Sequence, residues 1–137
     1  MPILLVKVSG KKSAQTTQAT SELLFDLTTR ILKKRRDVMS VVIDYVDHDA
    51  WIIAGKTLSE HGKNSFYFDI KVTDEINTKD QKSEYIKAAF EGFEKILGNL
   101  HPQSYVYVED VRGSAYGFGG ITTEYRYYYP ESTPLPK

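Results

Sequence analysis

The chain is read as an α/β protein built from one βαβ unit written twice. Three observations predict this. Two strand-like runs, Pro2-Ile3-Leu4-Leu5-Val6-Lys7-Val8 and Phe66-Tyr67-Phe68-Asp69-Ile70-Lys71-Val72, each precede an amphipathic helical stretch. Each helical stretch is followed by a second β-branched or aromatic strand and then a glycine turn. Landmarks of the two copies share one shift of 64 residues, with Phe66 falling on Pro2, Tyr105 on Val41 and Gly119 on Gly55. A repeat this long is one duplicated domain, since solenoid repeats run roughly 20–50 residues.

The elements follow in order. From Gln15 to about Lys34, Ala19, Leu23, Leu24, Leu27, Ile31 and Leu32 recur at helical spacing behind a cap at Ser13 or Thr16. Val41 to Val46 reads as a strand, Asp47-His48-Asp49 as a polar turn and Trp51 to Gly55 as a short strand. Thr57 to Asn64 reads as a linker. After the strand at Phe66, Thr78-Lys79-Asp80-Gln81 is a capping-box pattern. The helix it opens carries Tyr85, Ala89, Phe93 and Ile96 on one face. Tyr105 to Val108 is the next strand, and Thr122 to Tyr128 is read as the last. The expected organisation is one domain, with unit one over about 2–56, unit two over about 65–128 and a proline-rich extended tail over 129–137.

Crossovers within each unit predict a four-stranded, mainly parallel or mixed sheet with both helices on one face. The other face then carries exposed aromatic and branched side chains, and such a surface predicts an oligomer.

Composition limits the chemistry. Eighteen basic side chains balance eighteen acidic ones, which argues against nucleic acid or an anionic membrane as partner. The absence of cysteine removes disulfides and thiolate chemistry, and fits a cytoplasmic protein. No apolar run reaches membrane-spanning length. His48, His61 and His101 are scattered, so neither metal nor cofactor is expected.

With Met1-Pro2 at one end and Tyr116-Gly117-Phe118-Gly119-Gly120 near the other, the chain resembles the tautomerase superfamily, which includes 4-oxalocrotonate tautomerase and macrophage migration inhibitory factor. The resemblance covers about residues 2–125 and implies a tautomerase-like fold, a homotrimer and a catalytic N-terminal proline exposed by removal of methionine. It implies Pro2 as general base and acid, and Lys34 as carboxylate-binding cation. Lys11, Lys12, Lys33, Arg35 and Arg36 are the other candidates for that cation. It also implies Tyr105, Tyr107 and Tyr116 as pocket side chains, and a small unsaturated 2-oxo or 2-hydroxy acid as substrate. The residues depart from the dehalogenases of the superfamily, having no arginine in Thr73 to Ile76. Two alternatives stand beside this reading. One is a non-catalytic trimeric binding protein of the same fold. The other is an RNA-binding ferredoxin-like domain, which shares the βαββαβ order.

Overall fold

The structure is a computed structural model that describes residues 2–132. Its centre is a four-stranded mixed sheet of β1 (Ile3–Ser9), β2 (Ser40–Val46), β5 (Phe66–Thr73) and β6 (Tyr105–Val111), in the order β2-β1-β5-β6. Within each unit the strands are parallel, β1 with β2 and β5 with β6, while β1 and β5 meet antiparallel at the centre. That arrangement gives the molecule an internal twofold relation, with the two units pointing in opposite directions.

Alternation fixes which side of each strand is inside. Leu4, Val6 and Val8 of β1, and Phe66, Phe68, Ile70 and Val72 of β5, are buried beneath the helices. Helix α1 (Ala14–Arg30) begins at Ser13, whose hydroxyl accepts from the Thr16 amide. Helix α3 (Lys79–Leu97) begins at Thr78, where the expected capping box with Gln81 is formed. The helices cross closely at Gly92, since a Cβ there would meet Leu23 Cδ1 at 2.4 Å. Beneath them, Thr28 and Tyr85 join hydroxyls at 2.8 Å inside the core.

Three expectations need correction. The segment expected to be a linker contains β4 (Lys56–Thr57) and a short helix α2 (Leu58–His61), with a full capping box between Thr57 and Glu60. The expected last strand is a helix, α4 (Thr123–Tyr128), capped by the Thr122 hydroxyl. Its tyrosines favour strands intrinsically, but the cap and the preceding hairpin set the backbone. The shift between units is 64 residues only at the first strands, where Leu4 and Phe68 share the buried register. From the helix cap onward it is 65, pairing Ser13 with Thr78, Thr20 with Tyr85 and Leu24 with Ala89. The extra residue lies between Asp74 and Asn77, in the loop leaving β5.

The shift of 65 also aligns the two hairpins. β3 (Ile52–Ile53) turns into β4 through Ala54-Gly55, and β7 (Gly117–Phe118) turns into β8 (Ile121–Thr122) through Gly119-Gly120. All four turn residues have positive φ, the requirement of a type I′ two-residue hairpin. Gly119 is therefore the counterpart of Ala54, and Tyr105 is not the counterpart of Val41. A one-residue slip moves a strand's side chains to the opposite face. Tyr105 and Tyr107 accordingly lie on the open face, 58% and 56% exposed, with Val106 and Val108 turned inward.

The open face is half apolar and half charged. Ile3, Leu5 and Val42 are exposed on β1 and β2, while Lys71 of β5 holds Asp69 at 2.6 Å and lies 3.9 Å from Glu109 of β6. Donation of that hydrogen bond to the Asp69 carboxylate raises the Lys71 ammonium pKa above its ordinary value. The expected proline-rich tail begins as a 3-10 turn at Pro130–Ser132, and its remainder lies outside the described residues. No helix among the described residues is long and apolar enough to cross a membrane.

Candidate functional site

One end of the sheet gathers most of the residues singled out from the sequence. Pro2 is buried there, at the head of β1, and its carbonyl accepts from the Ser40 amide at 3.1 Å. Because Leu4 stands opposite Ile70 in an antiparallel pair, Pro2 comes level with Val72, whose other neighbour is Asp110 of β6. Adjacent strands are about 4.8 Å apart, so Pro2 and the Asp110 backbone are separated by roughly two strand spacings.

Lys34 reaches the same end from the loop after α1. It is half-buried, and that burial lowers its pKa below the ordinary lysine value, with the Asp110 carboxylate pulling the other way. Asp110 is itself engaged by Lys82 at 2.6 Å. The Lys34 ammonium is thus partly desolvated without a contacting carboxylate among the described residues, a cost that an incoming anion would relieve. The backbone just before it is unusual, since Lys33 has φ +61°. Left-handed geometry at a non-glycine residue costs roughly 1–2 kcal/mol.

Lys34 lines a cavity of about 520 Å³ whose floor is the end of β5 and whose far wall is α4. Thr73, Asp74, Glu75 and Ile76 form one side, with Tyr127 and Tyr128 opposite. Pro2 is not one of the lining residues. Tyr116 closes the open-face side of this end by joining its hydroxyl to that of Thr73 at 3.0 Å. A second, smaller cavity of about 280 Å³ adjoins across Thr123 and Tyr127 and is bordered by Arg35 and Arg126. The Arg126 guanidinium lies 3.7 Å over the Phe118 ring and donates to the Phe118 carbonyl at 2.6 Å.

Pro2, Lys34 and Tyr116 therefore share one end of the sheet. Tyr105 and Tyr107 do not. Tyr105 pairs with Tyr67, five residues along β5 from Val72, so roughly 17 Å separates it from Pro2 along the same chain. Lys11 and Lys12 lie in the loop after β1, also at the opposite end, and Arg36 stacks on Phe25 at 4.7 Å. Arg35 is held by Asp37 at 2.7 Å.

Among solved structures, the chain superposes on native fused 4-OT with a TM-score of 0.78 at 16% identity, over 90% of this chain and 97% of that one. A symmetric trimer of fused 4-OT gives 0.77 at 15% identity, over 89% and 96%. The malonate semialdehyde decarboxylase FG41, inhibited by 3-bromopropiolate, gives 0.71 at 12% identity, over 98% and 99%. No family model and no curated protein matches the sequence. The fold is tautomerase-like, that of these fused 4-OT structures.

Within this tautomerase fold, the cavity walls were the part hidden from sequence reading. Asp74, Glu75, Glu124, Tyr127 and Tyr128 meet only because β5 ends beside α4. Nothing in their spacing signals that contact. One clue was available at Thr57-Leu58-Ser59-Glu60, whose capping-box pattern marks a helix after the first hairpin. Carried across by the shift of 65, that helix starts at Thr122, whose hydroxyl caps Thr123 to Tyr128 without the second half of the box, Tyr125 standing where Glu60 does.

Proposed function

We propose that the chain is a cofactor-independent tautomerase acting on a small unsaturated 2-oxo or 2-hydroxy acid. The observation that carries this reading is Lys34, a partly desolvated ammonium without a carboxylate contact among the described residues, at the same sheet end as Pro2. In this reading Met1 is removed and the Pro2 secondary amine becomes free. An α-amino group titrates near neutrality, and a neighbouring ammonium and an apolar setting both favour its neutral form. The Pro2 nitrogen takes the enol O–H proton and returns a proton to the adjacent carbon, while Lys34 holds the carboxylate and favours the enolate. Tyr116 lines the site.

The assembly belongs to the same proposal. A homotrimer packed through the open faces would cover Ile3, Leu5 and Val42, and would bring Tyr105 and Tyr107 of a neighbouring copy toward the Pro2 end. The trimers formed by fused 4-OT support this arrangement. The proposed location is cytoplasmic, with a keto or enol acid as the partner.

The test is intact-protein mass followed by ketonisation of phenylenolpyruvate before and after chemical capping of the Pro2 amine. Loss of Met1 and a fall of at least about 100-fold on capping are expected, the usual weight of a general base. Retained Met1 or unchanged turnover would overturn the assignment.

A further inference from the structure

The cavity beside Lys34 has a charge pattern that the tautomerase reading leaves unused. Asp74, Glu75 and Glu124 all line it, and none has a side-chain partner among the described residues. Lys34 is the single cation among the described residues that line the cavity. Tyr127 and Tyr128 supply aromatic faces on the α4 side and are mostly exposed. The hydroxyl of Thr123, which also borders the cavity, is buried without a hydrogen-bond partner among the described residues.

The position of Glu75 adds to this. It sits in the loop that carries the one extra residue of unit two, and its φ is +62°. The first unit spans the same connection with Gly10-Lys11-Lys12. The longer loop therefore holds a carboxylate at the cavity in a backbone geometry that glycine would adopt without cost.

We infer that this cavity selects 2-oxo acids whose far end carries a protonated amine, and disfavours a second carboxylate there. The inference rests on the proposed function for the anchoring end, where Lys34 takes the substrate carboxylate. At the far end an ammonium would meet Asp74, Glu75 and Glu124 and the faces of Tyr127 and Tyr128, which attract cations through their ring quadrupoles. A dianionic ligand would instead bring like charges together in a partly enclosed space.

Three non-reacting analogues test this by calorimetry: 3-[4-(aminomethyl)phenyl]propanoate, 3-(4-methylphenyl)propanoate and 3-(4-carboxyphenyl)propanoate. The aminomethyl compound is expected to bind about tenfold more tightly than the carboxy compound, the size that two or three half-exposed carboxylates produce on one cation. In the Glu75→Gln/Glu124→Gln double variant, checked for folding by circular dichroism, that gap should shrink to about threefold or less. Equal binding, tighter binding of the dianion, absence of binding by all three, or an unchanged gap in the variant would overturn the inference. Phenylenolpyruvate turnover is measured separately. Turnover without the charge preference would sink only this inference, while the preference without turnover would sink only the catalytic reading.

Discussion

The internal duplication gives the sheet two corresponding ends, and they have diverged in opposite senses. At the far end, the side chain of Asn64 donates to the carbonyls of Leu97 and Gly98 at 3.0 and 2.9 Å and accepts from His48 and, more weakly, from Ser9. At the Pro2 end, the matching strand residue Thr73 is bonded to Tyr116, and a cavity opens beside it. The link between helix and outer strand has changed as well. Thr17 and Tyr45 share a neutral hydrogen bond at 2.6 Å, whereas their counterparts Lys82 and Asp110 form an ion pair at 2.6 Å. Helix α3 leaves through Gly98 at φ +70°, whereas α1 leaves through Lys33 at φ +61°. One end ties its strand and helix ends together through Asn64. The other leaves Lys34, Asp74, Glu75 and Glu124 around a cavity with no side-chain partner among the described residues.

The sharpest way to break this contrast is to remove the seal. Asn64→Ala strips donors from two carbonyls at the end of α3 and an acceptor from His48. Leaving such groups unpaired costs about 2–4 kcal/mol in sum. Urea denaturation should show that loss, while ligand binding in the Lys34 cavity stays unchanged. A stability loss below about 1 kcal/mol would mean that the far end is not sealed by this network.

The hairpins give a smaller, paired effect. Ala54 occupies a left-handed position that Gly119 fills in the other unit. Ala54→Gly should raise stability and Gly119→Ala should lower it, each by about 1 kcal/mol. At Gly119 a new Cβ would also lie 3.0 Å from Arg126 Nη2, so the loss there should be the larger of the two changes. Thermal melts of the two variants would settle whether the units share this turn energetically as well as geometrically.

How much of this was legible in the sequence follows from the range of each interaction. The apolar run of β1, the alternation of β5 and the capping box before α3 are local patterns, and each marks its element correctly, though the run alone does not show that Ile3 and Leu5 face outward. Helices α2 and α4 span four and six residues, too short for periodicity to declare them. The one-residue slip between units is silent in the sequence because Tyr105-Val106-Tyr107-Val108 alternates plausibly in either phase. Only the pairing of Tyr67 with Tyr105 decides it. Pro2 and Lys34 were singled out through the family resemblance; the parallel pairing of β1 with β2 sets both at one end of the sheet, and the antiparallel meeting of β1 and β5 brings the end of β5 and Tyr116 to it. The acidic wall of the cavity depends on contacts across some 50 residues of chain, and no short pattern encodes it.

Lys34 provides the finest test, because its effects on stability and function should run in opposite directions. Burial lowers its pKa, so between the folded value and the ordinary 10.5 the unfolded chain binds more protons than the folded one. Stability contributed by this group therefore rises with pH through that window, and at neutral pH the charged ammonium is a small liability. Lys34→Met removes the charge and keeps much of the volume. It should be slightly more stable than the parent at pH 7, by less than about 1 kcal/mol given the group's exposure to solvent. That advantage should fade as the pH approaches 10.5, where the parent lysine is increasingly neutral when folded. Urea denaturation of both proteins from pH 7 to 10 measures the trend, and the same variant should bind the carboxylate analogues at least tenfold more weakly. A variant that is less stable at pH 7 would show that Lys34 is already paired in the folded protein, and the open end would then need no ligand to satisfy it.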